Sequence, residues 1–321
     1  MLDCGLHKQP KPLYYGASVL KELRLKSEWK LVSNGNECMI DKNIDDSTVA
    51  GFGDEWERFD QSSLLPEERQ KIFDSYFSVF PWKKLTIDSV GFDLGCGSGR
   101  WAKLVAPLVG RLHCIDPSSA LEVAKRNLTQ NQNCEFHRAG VEVIPLDDGS
   151  MDFGYSLGVL HHIPDTQSAL IACVKKLKPG APFLVYLYYA FDNRPYWFRA
   201  IWKLSEVLRY GVSRLPYGLR YFVSQVIAGL VYFPFAKTAS LLEKLGLDVN
   251  NIPLSAYRHL TFYSMRTDAL DRFGTRLEQR FTKNQIQKMM EVAGLRHIVF
   301  SNDVPYWCAV GTRKAMTSID N

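Results

Sequence analysis

Apolar residues fall at two spacings along this chain, and the two spacings take turns. Short apolar runs at 90–94, 111–116, 134–138, 151–157 and 181–189 are bounded by turn residues and read as buried strands. Between them, stretches at 98–109, 118–130 and 166–178 carry apolar residues every three or four positions, as an amphipathic helix does. Such alternation predicts a parallel sheet wrapped by helices. Upstream, Pro66 suits the first turn of a further helix running to about Phe80. After Tyr189 the rhythm breaks. Residues 190–275 are rich in aromatic residues and arginine, are interrupted at Pro195, Pro216, Pro234 and Pro253, and read as an inserted set of helices. A helix at 282–293 closed by Gly294, a strand at 295–301 and a last strand at 305–314 then restore the pattern. The expected fold class is therefore α/β, a doubly wound, mostly parallel, seven-stranded sheet with a helical insertion before the last two strands.

Other segments are less regular. Residues 1–50 show no sustained period and predict a loose lead-in with at most a few strands. The most apolar stretch, 221–236, is interrupted by Gln225 and Pro234 and falls short of the roughly 20 residues that cross a bilayer. It reads as a buried or surface-lying helix, compatible with peripheral membrane contact but not with stable insertion.

Composition narrows the class. A chain of 321 residues, 46% hydrophobic and 23% charged, is an ordinary globular protein large enough for a domain with a sizeable insertion. Its net charge of +5 does not by itself imply nucleic acid. Residues 191–280 hold 13 Lys or Arg and 7 Asp or Glu, so the insertion carries the positive charge. The seven cysteines, Cys4, Cys38, Cys96, Cys114, Cys134, Cys173 and Cys308, include no C-x-x-C pair and suggest neither a disulfide framework nor a zinc site. The first residues lack the apolar core of a secretory signal, so a cytoplasmic setting is expected.

Chemistry concentrates after the first core strand. Phe92-Asp93-Leu94-Gly95-Cys96-Gly97-Ser98-Gly99 puts an acidic residue at a strand end and three glycines in the next turn, where a backbone can approach a ligand closely. A dinucleotide fingerprint, G-x-G-x-x-G, fails at Arg100, which weakens a nicotinamide-dependent oxidoreductase. Asp116, at the end of the second strand, can accept hydrogen bonds from both hydroxyls of a ribose.

With DLGCGSG, CIDPS, MDFGYSLGVLHHIPD and LKPGAPFLVY together, the sequence resembles the class I S-adenosylmethionine-dependent methyltransferases over about 88–190 and again over 280–313. Members found with glycan and natural-product pathways are similar in the run at 257–282. The resemblance implies S-adenosylmethionine as cofactor, with Asp93, Gly95, Cys96, Gly97 and Gly99 at its methionine end, Asp116, Pro117 and Ser118 at the ribose, and Leu157, Gly158 and His161 under the sulfonium. Where the family often has Gly-Asp-Ala, this chain has Ala139-Gly140-Val141, so backbone groups of Gly140 and Val141 and packing on Pro117 would hold the adenine. Residues 51–60 resemble a segment that closes over the cofactor in some members: Phe52, Trp56 and Arg58 either form that lid, or Trp56 and Phe59 only pack a helix on the sheet. The chain then divides into a lead-in and lid (1–65), a cofactor-binding core (66–189), a helical acceptor-binding insertion (190–275), and the last helix and strands of the core (276–321).

The acceptor reads as a small molecule or glycan methylated at oxygen, no N-P-P-Y-like tetrapeptide following the fourth strand to suggest a nucleic-acid substrate. His259, and less directly Tyr263, are candidate bases for removing a hydroxyl proton. Tyr257, Arg258, Arg266, Arg272 and Arg276 are candidate acceptor ligands: arginines there either snorkel over aromatic surface or bind an anionic acceptor in bidentate fashion. The adjacent His161 and His162 do not suggest a metal pair, because neighbours on a turn point different ways and no carboxylate is suitably spaced. A non-catalytic S-adenosylmethionine-binding partner subunit is the alternative from a different class.

Overall fold

The computed structural model describes residues 43–315. Seven strands form one sheet in the order β3-β2-β1-β4-β5-β7-β6. Strands β1 (Val90–Leu94), β2 (Arg111–Ile115), β3 (Cys134–His137), β4 (Phe153–Leu157) and β5 (Pro182–Tyr186) are parallel. The last two, β6 (Leu295–Phe300) and β7 (Cys308–Arg313), form an antiparallel hairpin, and β7 slots in beside β5. Side chains of β4 and β5 point alternately into two apolar layers: Phe153, Tyr155, Leu157 and Leu184 to one, Phe183 and Val185 to the other. A strand covered on both faces has no polar positions to alternate, which is why these runs read as continuous apolar stretches. The sheet's centre is close-packed. A Cβ on Gly91 would lie 2.2 Å from the Phe153 ring across the β1–β4 pairing.

Helices α2 (Pro66–Tyr76), α3 (Ala102–Val105), α4 (Ala120–Asn127), α5 (Thr166–Lys176) and α10 (Lys283–Val292) flank the sheet. Pro66 occupies the first turn of α2, and Gly294 follows α10 at φ +92°. Between Ser98 and Val109 the helix is shorter than its period suggests: four α residues, then a 3-10 turn at Ala106–Leu108 where Pro107 removes a backbone donor. The lead-in departs from expectation over its last residues before 51, where helix already begins. Asp46–Arg58 forms a regular helix, α1, capped by the Asp45 carboxylate on Thr48 N. Residues 1–42 lie outside the described residues.

The insertion is helical: α6 (Tyr196–Val212), α7 (Tyr217–Ile227), α8 (Phe233–Lys244) and α9 (Phe262–Gly274) share a core of Val212, Ile227, Ala228, Tyr232, Met265, Ala269 and Phe273. Sequence alone made the apolar stretch too short to cross a bilayer. In fact α7, a widened π turn at Ala228–Tyr232 and α8 form one helical run of 28 residues, Tyr217–Lys244, long and apolar enough to do so. A proline in a helix lacks its N–H and crowds the carbonyl four residues back; the π turn before Pro234 gives the backbone room, and the helix continues.

Candidate active site

At the carboxyl end of the sheet, β1 runs into a turn in which Gly95 and Gly97 take φ +76° and +54°. Gly95 N and Cys96 N both donate to Ile115 O, at 2.7 and 3.1 Å, which fixes this turn to the end of β2. Asp116 completes the clamp. One carboxylate oxygen accepts from Gly97 N at 2.9 Å, the other from Ser118 N and Oγ at 2.8 and 2.6 Å. The two post-strand turns are thus locked together around one buried carboxylate.

These turns form one wall of a cavity of about 1000 Å³, at the upper end of small-molecule sites. Of the residues assigned to the cofactor from sequence, Gly95, Cys96, Gly97, Asp116, Pro117, Ser118, Gly140, Val141, Leu157 and Gly158 line it. Three do not. Asp93 lies buried behind the turn, Gly99 packs against α4, where an added Cβ would meet Leu128 at 2.8 Å, and His161 is fully buried behind its neighbours. His161 stacks on Tyr188 with ring centroids 3.8 Å apart, and burial holds it well below the usual histidine range. The wall residue is His162.

Burial pushes the Asp93 carboxyl up to about 8, and the Asp116 charge adds to the effect; its Oδ2 has no hydrogen-bond partner among the described residues. Helix α1 closes the glycine turn from the other side: a Cβ on Gly97 would be 3.0 Å from Trp56 Nε1, and the Arg100 guanidinium lies 5.3 Å from the Trp56 ring. Phe52 sits 4.9 Å from the His162 ring. Of the three lid candidates Phe52 and Trp56 reach the cavity; Arg58 instead bonds Asp54 at 2.8 Å and covers Tyr221. Phe59 is buried against Tyr263 and Tyr221.

On the insertion's side, Tyr257, Arg258, Arg272, His259 and Tyr263 line the cavity, whereas Arg266 and Arg276 do not. The arginines are committed elsewhere. Arg258 pairs with Glu243 at 2.9 Å, Arg266 bonds Gln225 at 2.6 Å and Tyr221 at 2.9 Å, and Arg276 reaches Ser213 O at 3.4 Å. Arg272 bridges Glu206 and the buried Glu278. Burial alone would raise Glu278, but Arg280 and Arg272 outweigh it and hold the carboxyl below its ordinary range. His259 stands at the rim with its side chain 47% exposed and Nε2 2.9 Å from Glu243. The Tyr263 hydroxyl accepts from Gln61 N at 3.0 Å.

Sequence reasoning missed another group. His162 donates from Nδ1 to Leu277 O at 2.7 Å, a bond that assigns its proton to Nδ1 and leaves Nε2 as an acceptor, 4.0 Å from Asp271 Oδ1. Asp271 in turn accepts from the Tyr188 hydroxyl. The missing carboxylate for the histidine pair comes from α9, a distant part of the chain. Burial raises Asp271, while His162 and Tyr188 pull it back; burial also pushes Asp268 up to about 6 and raises Glu55 well above its ordinary value. All three carboxyls line the cavity. Away from it, His113, Glu135 and His137 come together on β2 and β3, with His113 Nδ1 and His137 Nε2 3.0 Å apart and Glu135 on Arg111 at 3.2 Å.

Strand order, glycine turn and terminal aspartate together define a class I S-adenosylmethionine-dependent methyltransferase domain. Residues 92–185 match the family model described as a methyltransferase domain, so the chain carries such a domain and its cofactor is S-adenosylmethionine. Curated relatives similar to this region are a ubiquinone biosynthesis O-methyltransferase of Albidiferax ferrireducens, 35% identical over 27% of this chain and 36% of the relative, and phosphoethanolamine N-methyltransferase 2 of Caenorhabditis elegans, 31% identical over 30% and 23%. The chain thus spans about a quarter to a third of the length of these relatives. Among solved structures it is similar to a methyltransferase in complex with the Haloferax volcanii Trm112 methyltransferase activator, at 14% identity and TM-score 0.49, over 82% of this chain and 97% of that one. The site's residues fit the cofactor: a glycine turn with no room for side chains, a clamped carboxylate and an orphaned buried acid beneath it.

Proposed function

We propose that this protein methylates a hydroxyl of a small molecule or glycan, with S-adenosylmethionine as donor and His162 as the base. When bound, the cofactor supplies an electrophilic methyl group on a sulfonium. Gly95, Gly97, Asp116, Gly140 and Val141 would hold it, and Phe52 and Trp56 on α1 would exclude water from above. His162 Nε2, which is buried beside Asp271 and has no hydrogen-bond partner among the described residues, would take the acceptor's hydroxyl proton once an acceptor reaches it at that end of the cavity; Leu277 O keeps the opposite proton on Nδ1, and the imidazolium that forms is stabilised by Asp271, 4.0 Å from Nε2. This geometry, a histidine oriented through Nδ1 by Leu277 O with a carboxylate beside its free Nε2, is the observation that carries the reading. Two expectations change with it. The base moves from His259, whose Nε2 is taken by Glu243, to His162, and an anionic acceptor loses its support because Arg258, Arg266, Arg272 and Arg276 all have protein partners. Three carboxyls raised by burial suit an uncharged hydroxyl better than a phosphate. The five described cysteines are buried free thiols, which supports a reducing, cytoplasmic setting.

Labelled methyl transfer to a panel of phenols, polyols and glycans, together with calorimetric titration of S-adenosylhomocysteine, tests this. His162→Ala should lower turnover by about 10²- to 10⁴-fold with S-adenosylhomocysteine affinity within about twofold. Binding without turnover on any acceptor class would favour a non-catalytic cofactor-binding subunit; unchanged turnover in the variant would remove His162 from the reaction.

A further inference from the structure

We infer that the outer faces of α6 and of the α7–α8 run dock on the surface of an anionic lipid bilayer, with the cavity mouth at the headgroup level. Along the 28-residue run, Leu219, Phe222, Val226, Leu230, Phe233 and Leu241 recur every three, four or eight positions and all face solvent, Leu230 with 74% of its surface exposed. A helix this apolar on its outer face is normally covered. On α6, Ile201, Leu204, Val207 and Leu208 are likewise exposed, Leu204 by 74%.

What covers this face is indicated by its charges. The one acid of the run Tyr217–Lys244, Glu243, is paired with Arg258 and His259, and the exposed cations of the run are Lys237 and Lys244. The one acid of α6, Glu206, is turned inward onto Arg209 and Arg272, leaving Arg199 and Lys203 outward. Aromatic rings accompany the cations: Arg199 lies 4.4 Å from the Tyr196 ring and Lys237 5.4 Å from that of Phe233. An apolar face edged with lysine, arginine and aromatic rings, its two acids Glu206 and Glu243 both held in ion pairs, complements an anionic lipid interface.

The run lies on the bilayer rather than across it, because its inner face is polar and tied to the protein. The buried Arg220 donates to Gly274 O at 2.7 Å, and Gln225 accepts from Arg266 at 2.6 Å. Lipid on all sides would strip these groups of their partners. Continuity with the site supports the placement: Ile201, Leu208, Val231 and Phe235 are exposed and also line the cavity.

Flotation of the full chain with phosphatidylcholine vesicles, with and without phosphatidylglycerol, tests the proposal. The protein should float with the anionic vesicles and be released by salt. Lys237→Ala should weaken that binding about fivefold, and the double variant Phe222→Glu, Leu230→Glu should weaken it at least about tenfold. Neither substitution touches the cavity wall, so S-adenosylhomocysteine affinity should be unchanged, which shows that the variants fold. The proposal fails if the protein floats with neither vesicle, if the double variant floats as the parent does, or if that variant instead splits a stable dimer without altering flotation, which would make the face a contact between two copies.

Discussion

Asp93 makes the cofactor-free protein sensitive to alkali. Its carboxyl stands at about 8 in the folded chain against 3.8 when unfolded, so between those values the folded state binds one more proton. Stability then falls as pH rises, by up to about 1.4 kcal/mol per unit. Asp93→Asn should flatten the melting temperature between about pH 5 and about pH 8 and leave the variant more stable than the parent at the upper end; scanning calorimetry without cofactor would show it. Gly97→Ala combines a left-handed backbone with a Cβ 3.0 Å from Trp56, so it should cost roughly 1–2 kcal/mol and weaken S-adenosylhomocysteine binding measurably by titration. Arg272 belongs to the scaffold despite lining the cavity. Removing it leaves Glu278 buried with Arg280 as its remaining partner, and Arg272→Met should lower stability by about 3 kcal/mol in denaturant unfolding. The glycine turn and Asp116 were legible in the sequence because their placement is local, whereas the pairing of His162 with Asp271 was not: the two meet only once α9 comes against the turn that follows β4.

Strands were the most legible elements, since burial on both faces leaves uninterrupted apolar runs, and their expected limits agree with the structure to within a few residues. Two elements were misjudged for physical reasons. The lead-in reads as loose to about residue 50 because polar residues and glycines break its period, yet α1 begins at Asp46, and Gly53 within it serves close packing, an added Cβ meeting Ser119 Oγ at 2.5 Å. Pro234 hides a long helix because the π turn that accommodates it leaves no signature in the pattern. The first case yields a test. Gly53→Val should push α1 off α4 at a cost of roughly 1–3 kcal/mol, displace Trp56 from the glycine turn, and speed the dissociation of S-adenosylhomocysteine in stopped-flow measurements.

At the scale of the molecule, the positive charge of the insertion is largely spent inside it, Arg209, Arg220, Arg272 and Arg280 holding helix ends and buried acids in place. Net charge alone therefore overstated the basic surface. The cavity, too, is one space rather than two. Its cofactor wall is built from buried residues such as Cys96, Asp116 and Val141, while its outer wall carries exposed ones such as Ile201 and Phe235. If both ligands of the proposed reaction pass this one outer wall, the nucleoside enters before the acceptor and leaves after the methylated product; S-adenosylhomocysteine should then inhibit competitively against S-adenosylmethionine and non-competitively against the acceptor, and an acceptor in excess should slow the enzyme by occupying the exit before the spent nucleoside has gone.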